Sequence, residues 1–217
     1  TARRDDIVAD DYFVWWGMED KHLFEYARQE LTEISQKEEP FAFTMLTVDT
    51  HHIGGYQCVY CTDEFEESYE QSISCSSRQV IEFVQWLQEQ PFYENTTVII
   101  VGDHPSMDKG YFDRNVEESH VRRIYNCFLN VPITTAYSKN RDFTSLDMFP
   151  TTLAAMGVQI EGDRLGLGVN LFSLEPTLFE VYGQKLMAEL NKKQQAAQSE
   201  QEKEKILLMI SLFALRV

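Results

Sequence analysis

The stretch Phe41-Ala42-Phe43-Thr44-Met45-Leu46-Thr47-Val48, followed by Asp49-Thr50-His51-His52-Ile53-Gly54-Gly55, decides how this chain is read. A continuous apolar, β-favouring run suits a strand buried on both faces. The polar, glycine-containing residues behind it have to form a loop at the strand's carboxyl end. The same pattern recurs at residues 96–101 (TTVIIV), followed by Gly102-Asp103-His104-Pro105. Between the two lies a helical period over residues 77–90. Val80, Ile81, Val84 and Leu87 form its apolar stripe, and Pro91 ends it. Strand, helix, strand implies a right-handed crossover, so the expectation is an α/β fold with a largely parallel sheet flanked by helices.

Working outward, residues 10–36 suggest a turn followed by a helix, with Leu23, Phe24, Ala27, Leu31 and Ile34 at helical spacing and Asp20 placed to cap it. Residues 125–131 are a third strand candidate. Residues 145–156 suggest a helix closed by Gly157, with Pro150 awkward in its interior. The character changes after Pro176. Residues 185–205 are rich in Lys, Gln, Glu and Ala, and residues 206–215 are apolar but far short of the roughly 20 needed to span a bilayer. The expected organisation is a catalytic unit over 1–175 and a polar helical tail with a short apolar end over 176–217.

Composition bounds the function. The chain has 217 residues, 43% hydrophobic and 25% charged, enough to bury a core. Its 35 acidic and 19 basic residues give a formal net charge of −16. That average field repels nucleic acid, so no nucleic-acid partner is expected. A local anion site stays possible where a bound cation inverts the field.

The chemistry sits in the two strand-end loops. In open α/β sheets, ligands bind beyond the carboxyl ends of the strands. Asp49 with His51 and His52, and Asp103 with His104, pair carboxylate with imidazole, a ligand set suited to Zn, Mn or Mg. An aspartate at a strand end also serves as a plain turn former. Two such loops with three histidines favour function over that plain reading.

The segments Thr47-Val48-Asp49-Thr50-His51-His52 and Val101-Gly102-Asp103-His104 resemble the signatures of the lipoteichoic acid synthase-like branch of the alkaline phosphatase/sulfatase superfamily. Trp16-Gly17-Met18, Phe92-Tyr93-Glu94-Asn95-Thr96-Thr97 and Asp147-Met148-Phe149-Pro150-Thr151-Thr152 fit the same branch in collinear order, over residues 10–173. The Asp-Thr-His-His form is most similar to phosphoglycerol transferases that decorate periplasmic glucans.

The resemblance implies that Asp103 and His104 ligate a catalytic divalent cation, Mn or Mg. It implies that His51, with His52 as the register alternative, contacts the phosphoglycerol group of the substrate. It further implies a Thr nucleophile, preceded by an acidic ligand, upstream of Thr1, so the fold is expected to be incomplete at the N-terminus and the chain alone inactive. The implied donor is a phosphatidylglycerol-type lipid headgroup, and the acceptor a glycan or polymer. The implied setting is the extracytoplasmic domain of a bacterial membrane protein, anchored by segments not in this chain. A hydrolysing sulfatase or phosphodiesterase, or a non-catalytic glycan- or headgroup-binding domain, shares these loops and stays open.

Cys58, Cys61, Cys75 and Cys127 admit several readings. A four-cysteine zinc site would want a second close pair. A redox CxxC would open a helix after a strand. The extracytoplasmic setting implied by the resemblance allows a disulfide from Cys75 to Cys58 or Cys61, stapling the His51 loop. Unpaired buried thiols are equally admissible.

Overall fold

The computed structural model describes residues 9, 12, 14, 17–37, 39–135, 137, 139–196 and 212–216. Of the motif around Trp16, only Gly17 and Met18 fall within them, and most of the apolar run 206–215 lies outside.

Helix α1 spans Asp20–Ser35 and strand β1 spans Phe41–Met45. Phe24, Ala27 and Leu31 form the buried stripe of α1, as the spacing predicts. Helix α2, Ser68–Gln88, starts nine residues before the predicted position. Its buried line is Ser72, Cys75, Gln79, Phe83 and Leu87, whereas Ile81 is exposed. The apolar stripe expected from Val80 and Ile81 is therefore rotated toward Phe83. The polar Ser72, Ser76 and Gln79 carried no hydrophobic signal, yet they face inward.

A 3₁₀ turn over Pro91–Asn95 leads into β2, Thr96–Val101. Helix α3 is Lys109–Asn115, β3 is Asn126–Leu129, and α4 is Met148–Ala155. Pro150 sits in the first turn of α4, where its missing N–H would have had no helical partner, so the helix absorbs it. A two-stranded ribbon of β4 (Arg164–Leu165) and β5 (Gly168–Val169) follows. Helices α5 (Leu178–Tyr182) and α6 (Gln184–Ala196) come next, and β6 is Leu212–Arg216.

The four-stranded sheet has the order β1-β6-β2-β3. It departs from the largely parallel sheet expected. Each hydrogen-bonded pair among the described residues is antiparallel: β1 with β6, β6 with β2, and β2 with β3. The cause is β6. Strands β1 and β2 run in the same direction, as a strand-helix-strand unit requires, but β6 lies between them and opposes both. The fold remains α/β.

Helices cover β2 on both faces. Val98 packs with Phe24, Ala27, Leu31, Met45, Phe83, Leu87 and Phe92 in the main core under α1 and α2. The next residue, Ile99, points the other way, onto Met148 of α4 with Phe128 and Met156 against it. Strand β1 is not buried on both faces. Ala42 and Thr44 are exposed, while Phe41 and Phe43 pack on the main core.

Candidate functional site

The loop after β1 is built by its own backbone and by α1. His51 N–H donates to the Val48 carbonyl (2.9 Å), Gly55 N–H to His51 (3.1 Å), and Tyr56 N–H to Asp49 (2.7 Å). Gly55 has φ +66°, and a Cβ there would stand 2.5 Å from the Ser72 Cβ of α2. Only glycine lets this loop lie against the helix. The His51 and His52 rings lie 4.6 Å apart, tilted by 30°, and both are half-buried. The His51 Nδ1 lies 2.6 Å from the His52 carbonyl oxygen. A carbonyl only accepts, so Nδ1 holds a proton.

Asp49 is not at the mouth with these histidines. It is 3% exposed and faces the fully buried Asp20. Asp49 Oδ1 accepts from the Asp20 N–H at the start of α1 (3.2 Å). Asp20 Oδ1 accepts in return from the N–H groups of Val48 (2.7 Å) and Asp49 (3.3 Å), and Oδ2 accepts from Ser76 (3.3 Å). Asp20 is therefore no cap of its own helix but a bracket between α1, α2 and the strand-end loop. Burial pushes both carboxyls up. Asp49 reaches about 7, with the neighbouring Asp20 charge adding to burial. The pairing of Asp49 with His51 and His52 as one ligand set is thus overturned. Short side-chain reach toward unpaired N–H groups in the core draws this carboxylate inward.

The loop after β2 presents Asp103 and His104, both exposed. Gly102 still belongs to the strand, since its N–H donates to the Tyr125 carbonyl (2.9 Å). The turn falls on the next residues. Asp103 Oδ1 accepts from the His104 N–H (2.9 Å), and Asp103 Oδ2 lies 3.3 Å from His104 Nε2. His104 Nδ1 is 2.9 Å from the Pro105 carbonyl. That bond puts a proton on Nδ1 and turns Nε2 toward the carboxylate. A metal-ligating histidine is oriented in just this manner, by giving its other N–H to a carbonyl.

Asp108 joins the two loops. Its Oδ2 accepts from Gly54 N–H (2.7 Å), and its Oδ1 accepts from Tyr111 N–H (3.1 Å) to cap α3. The Gly54 bond, supported by Tyr111, Arg114 and His52, holds its carboxyl below the usual range. Arg122 Nη1 donates to the Ser106 carbonyl (2.7 Å) and lies over the Phe112 ring. Tyr69 of α2 bonds Ser106 Oγ. Sequence reading missed Asp108. The available signal was an Asp directly ahead of a helix start. Beside this loop lies a cavity of about 600 Å³ bordered by Ser106, Phe112, His120 and Arg122.

The structure therefore brings Asp103 to His104, sets His51 against His52, and ties the two loops together through Gly54 and Asp108. The donor chemistry of Asp103 and His104 fits a hard-to-borderline divalent cation, but two donors are fewer than such an ion takes. Among the described residues, no third His, Cys, Asp or Glu converges on them.

The sulfatase family profile matches residues 2–158. The chain belongs to the sulfatase family. Its curated relatives include proteins named phosphoglycerol transferase I. The chain is 31% identical over 175 residues to phosphoglycerol transferase I of Xanthomonas campestris pv. campestris (strain B100). That alignment covers 78% of this chain and 24% of that protein. It is also 31% identical over 109 residues to phosphoglycerol transferase I of Citrobacter koseri, covering 47% of this chain and 14% of the relative. This sulfatase-family chain thus spans about a quarter or less of the length of these relatives. No solved structure matches it significantly. No helix among the described residues is long and apolar enough to cross a membrane.

Proposed function

We propose that this chain supplies part of the catalytic site of a metal-dependent phosphoglycerol transferase. The reaction moves phosphoglycerol, or a similar phospho-headgroup, from a phosphatidylglycerol-type lipid to a glycan or polymer acceptor. The nucleophile is a Thr that this chain does not contain. Asp103 and His104 would hold the cation, Mn or Mg, with further ligands from outside the chain. One observation carries the reading: the Pro105 carbonyl fixes the His104 tautomer so that Nε2 and the Asp103 carboxylate face one point, 3.3 Å apart. Sulfatase-family membership and relatives named phosphoglycerol transferase I support the reaction class.

A bound cation supplies Lewis-acid stabilisation to phosphoryl oxygens and makes a neighbouring hydroxyl easier to ionise. The chain's own residues do the rest. His51, with Nδ1 already donating to a carbonyl, uses Nε2 to donate to a phosphate oxygen or glycerol hydroxyl when its ring is protonated. His52, with its ring tilted against that of His51, is the alternative contact. Asp108 keeps the histidine loop against the Asp103 loop, so both groups meet one substrate. The site would work outside the cytoplasm of a bacterial cell, at the membrane that holds the donor lipid.

The test is manganese binding and phosphoglycerol transfer by the full-length protein carrying Asp103→Ala or His104→Ala. Each change is expected to lower transfer at least about 100-fold, in line with loss of a principal electrostatic contribution. Transfer that survives both changes removes the proposal. The 217-residue chain alone is expected to show no turnover.

A further inference from the structure

Cys58, Cys61 and Cys75 converge where the chain just past the histidine loop meets α2. Cys58 Sγ lies 3.8 Å from Cys75 Sγ and 4.0 Å from Cys61 Sγ. All three sulfurs fall within 4.8 Å of one another. Three thiolates bound to one zinc ion at about 2.3 Å stand about 3.8 Å apart in tetrahedral geometry and about 4.0 Å apart in a plane. A disulfide needs about 2.05 Å, and all four cysteines here are thiols. Cys127 is no part of the cluster, since it pairs opposite Ile100 on β3. That overturns a four-cysteine site.

The surroundings suit thiolates. Gln79 Nε2 donates toward Cys75 Sγ (3.6 Å) and Cys58 Sγ (3.9 Å), and Tyr60 N–H points at Cys58 Sγ (3.4 Å). N–H donors aimed at sulfur favour the charged form. Gln79 is 7% exposed, and its Oε1 is buried with no hydrogen-bond partner. Oε1 belongs to the amide that faces the sulfurs, so a half-turn of that amide would offer an oxygen ligand. Without a cation, burial raises the Cys58 and Cys61 thiols above their ordinary range and keeps them protonated. A cavity of about 480 Å³, bordered by Tyr60, Cys75, Arg78 and Gln79, leads in from solvent.

We infer that Cys58, Cys61 and Cys75 form a three-thiolate site for one soft d¹⁰ cation, Zn²⁺. The three sulfurs each lose a proton and bond to the ion, leaving a complex of net charge −1. The fourth position falls to water or the Gln79 oxygen. Bound there, the ion clamps the turn after the histidine loop onto α2, so it acts structurally, apart from the Asp103–His104 pair.

The experiment uses the reduced 217-residue chain under anaerobic conditions, titrated with Cd²⁺ both metal-free and after loading with Zn²⁺. Only thiolates give a sulfur-to-cadmium absorption band, so Asp103 and His104 do not contribute. The band is expected to saturate at about one equivalent, and to form on the Zn²⁺-loaded protein with release of one equivalent of Zn²⁺, because the softer Cd²⁺ displaces Zn²⁺ from thiolates. Zn²⁺ is also expected to shield three of the four cysteines from alkylation, with Cys127 still reacting. Cys61→Ser, at a half-exposed position, should weaken binding at least about 100-fold, the top of the range for loss of an outer partner. Cys127→Ser should leave binding unchanged. The site is refuted if no band forms, or if Cys61→Ser binds as well as the parent. A Cys58–Cys75 disulfide that persists in the oxidised protein with Zn²⁺ present also overturns it. The alkylation readout needs no variant, so a misfolded substitution does not decide the matter.

Discussion

Asp49 shows how far one residue's role departs from its motif. It stands in an Asp-Thr-His-His signature, yet it is buried against Asp20 while the histidines are half-buried. Its carboxyl is raised to about 7 by burial and then by Asp20. In the unfolded chain it ionises near the usual carboxylate value, so between about pH 4 and 7 the folded state binds more protons. That contribution to stability is fully present below the unfolded value and is lost as pH rises through about 7. The urea midpoint of the parent is expected to gain less over this window than that of Asp49→Asn, which removes the titration. Parallel midpoint profiles for the two proteins would contradict the pairing. Asp103 and His104 were legible because adjacent residues after a buried strand have little choice of position. Asp108 was not, because its partner Gly54 lies 54 residues away in the chain.

Among elements, the histidine loop and α2 depend on each other. The loop is short of regular hydrogen bonds and leans on Ser72 at the place where Gly55 has no side chain. Gly55→Ala adds a Cβ at a left-handed φ and against the helix. The expected cost is about 1–3 kcal/mol of unfolding free energy, read by chemical denaturation. Substrate affinity in the full-length protein should fall with it, because His51 and His52 ride on the same loop. An unchanged denaturation curve would show that the contact relaxes freely. The start of α2 was misplaced from sequence because its first two turns bury Tyr69, Ser72 and Cys75, which carry no aliphatic period. The end of β2 was legible because its apolar run stops at Gly102-Asp103, whereas β1 ends at Met45, short of the expected end at Val48.

For the whole molecule, β6 is the decisive piece. Its backbone pairs with Phe41–Met45 on one side and with residues 96–99 on the other. Removing residues 212–216 would leave two unpaired strand edges facing each other across the sheet. The truncated chain is expected to lose stability and to associate, seen as larger species in size-exclusion chromatography with light scattering. A monodisperse truncated chain of equal stability would show that the sheet closes without it. The sequence by itself determined the α/β class, the two strand-end loops and the adjacent Asp103 and His104, because these follow from local hydrophobic pattern and neighbouring residues. Only the tertiary structure decided that Asp49 turns inward to Asp20, that Asp108 ties the loops, that three cysteines converge, and that β6 separates β1 from β2. Each of those depends on partners brought together from distant parts of the chain, which a local pattern does not encode.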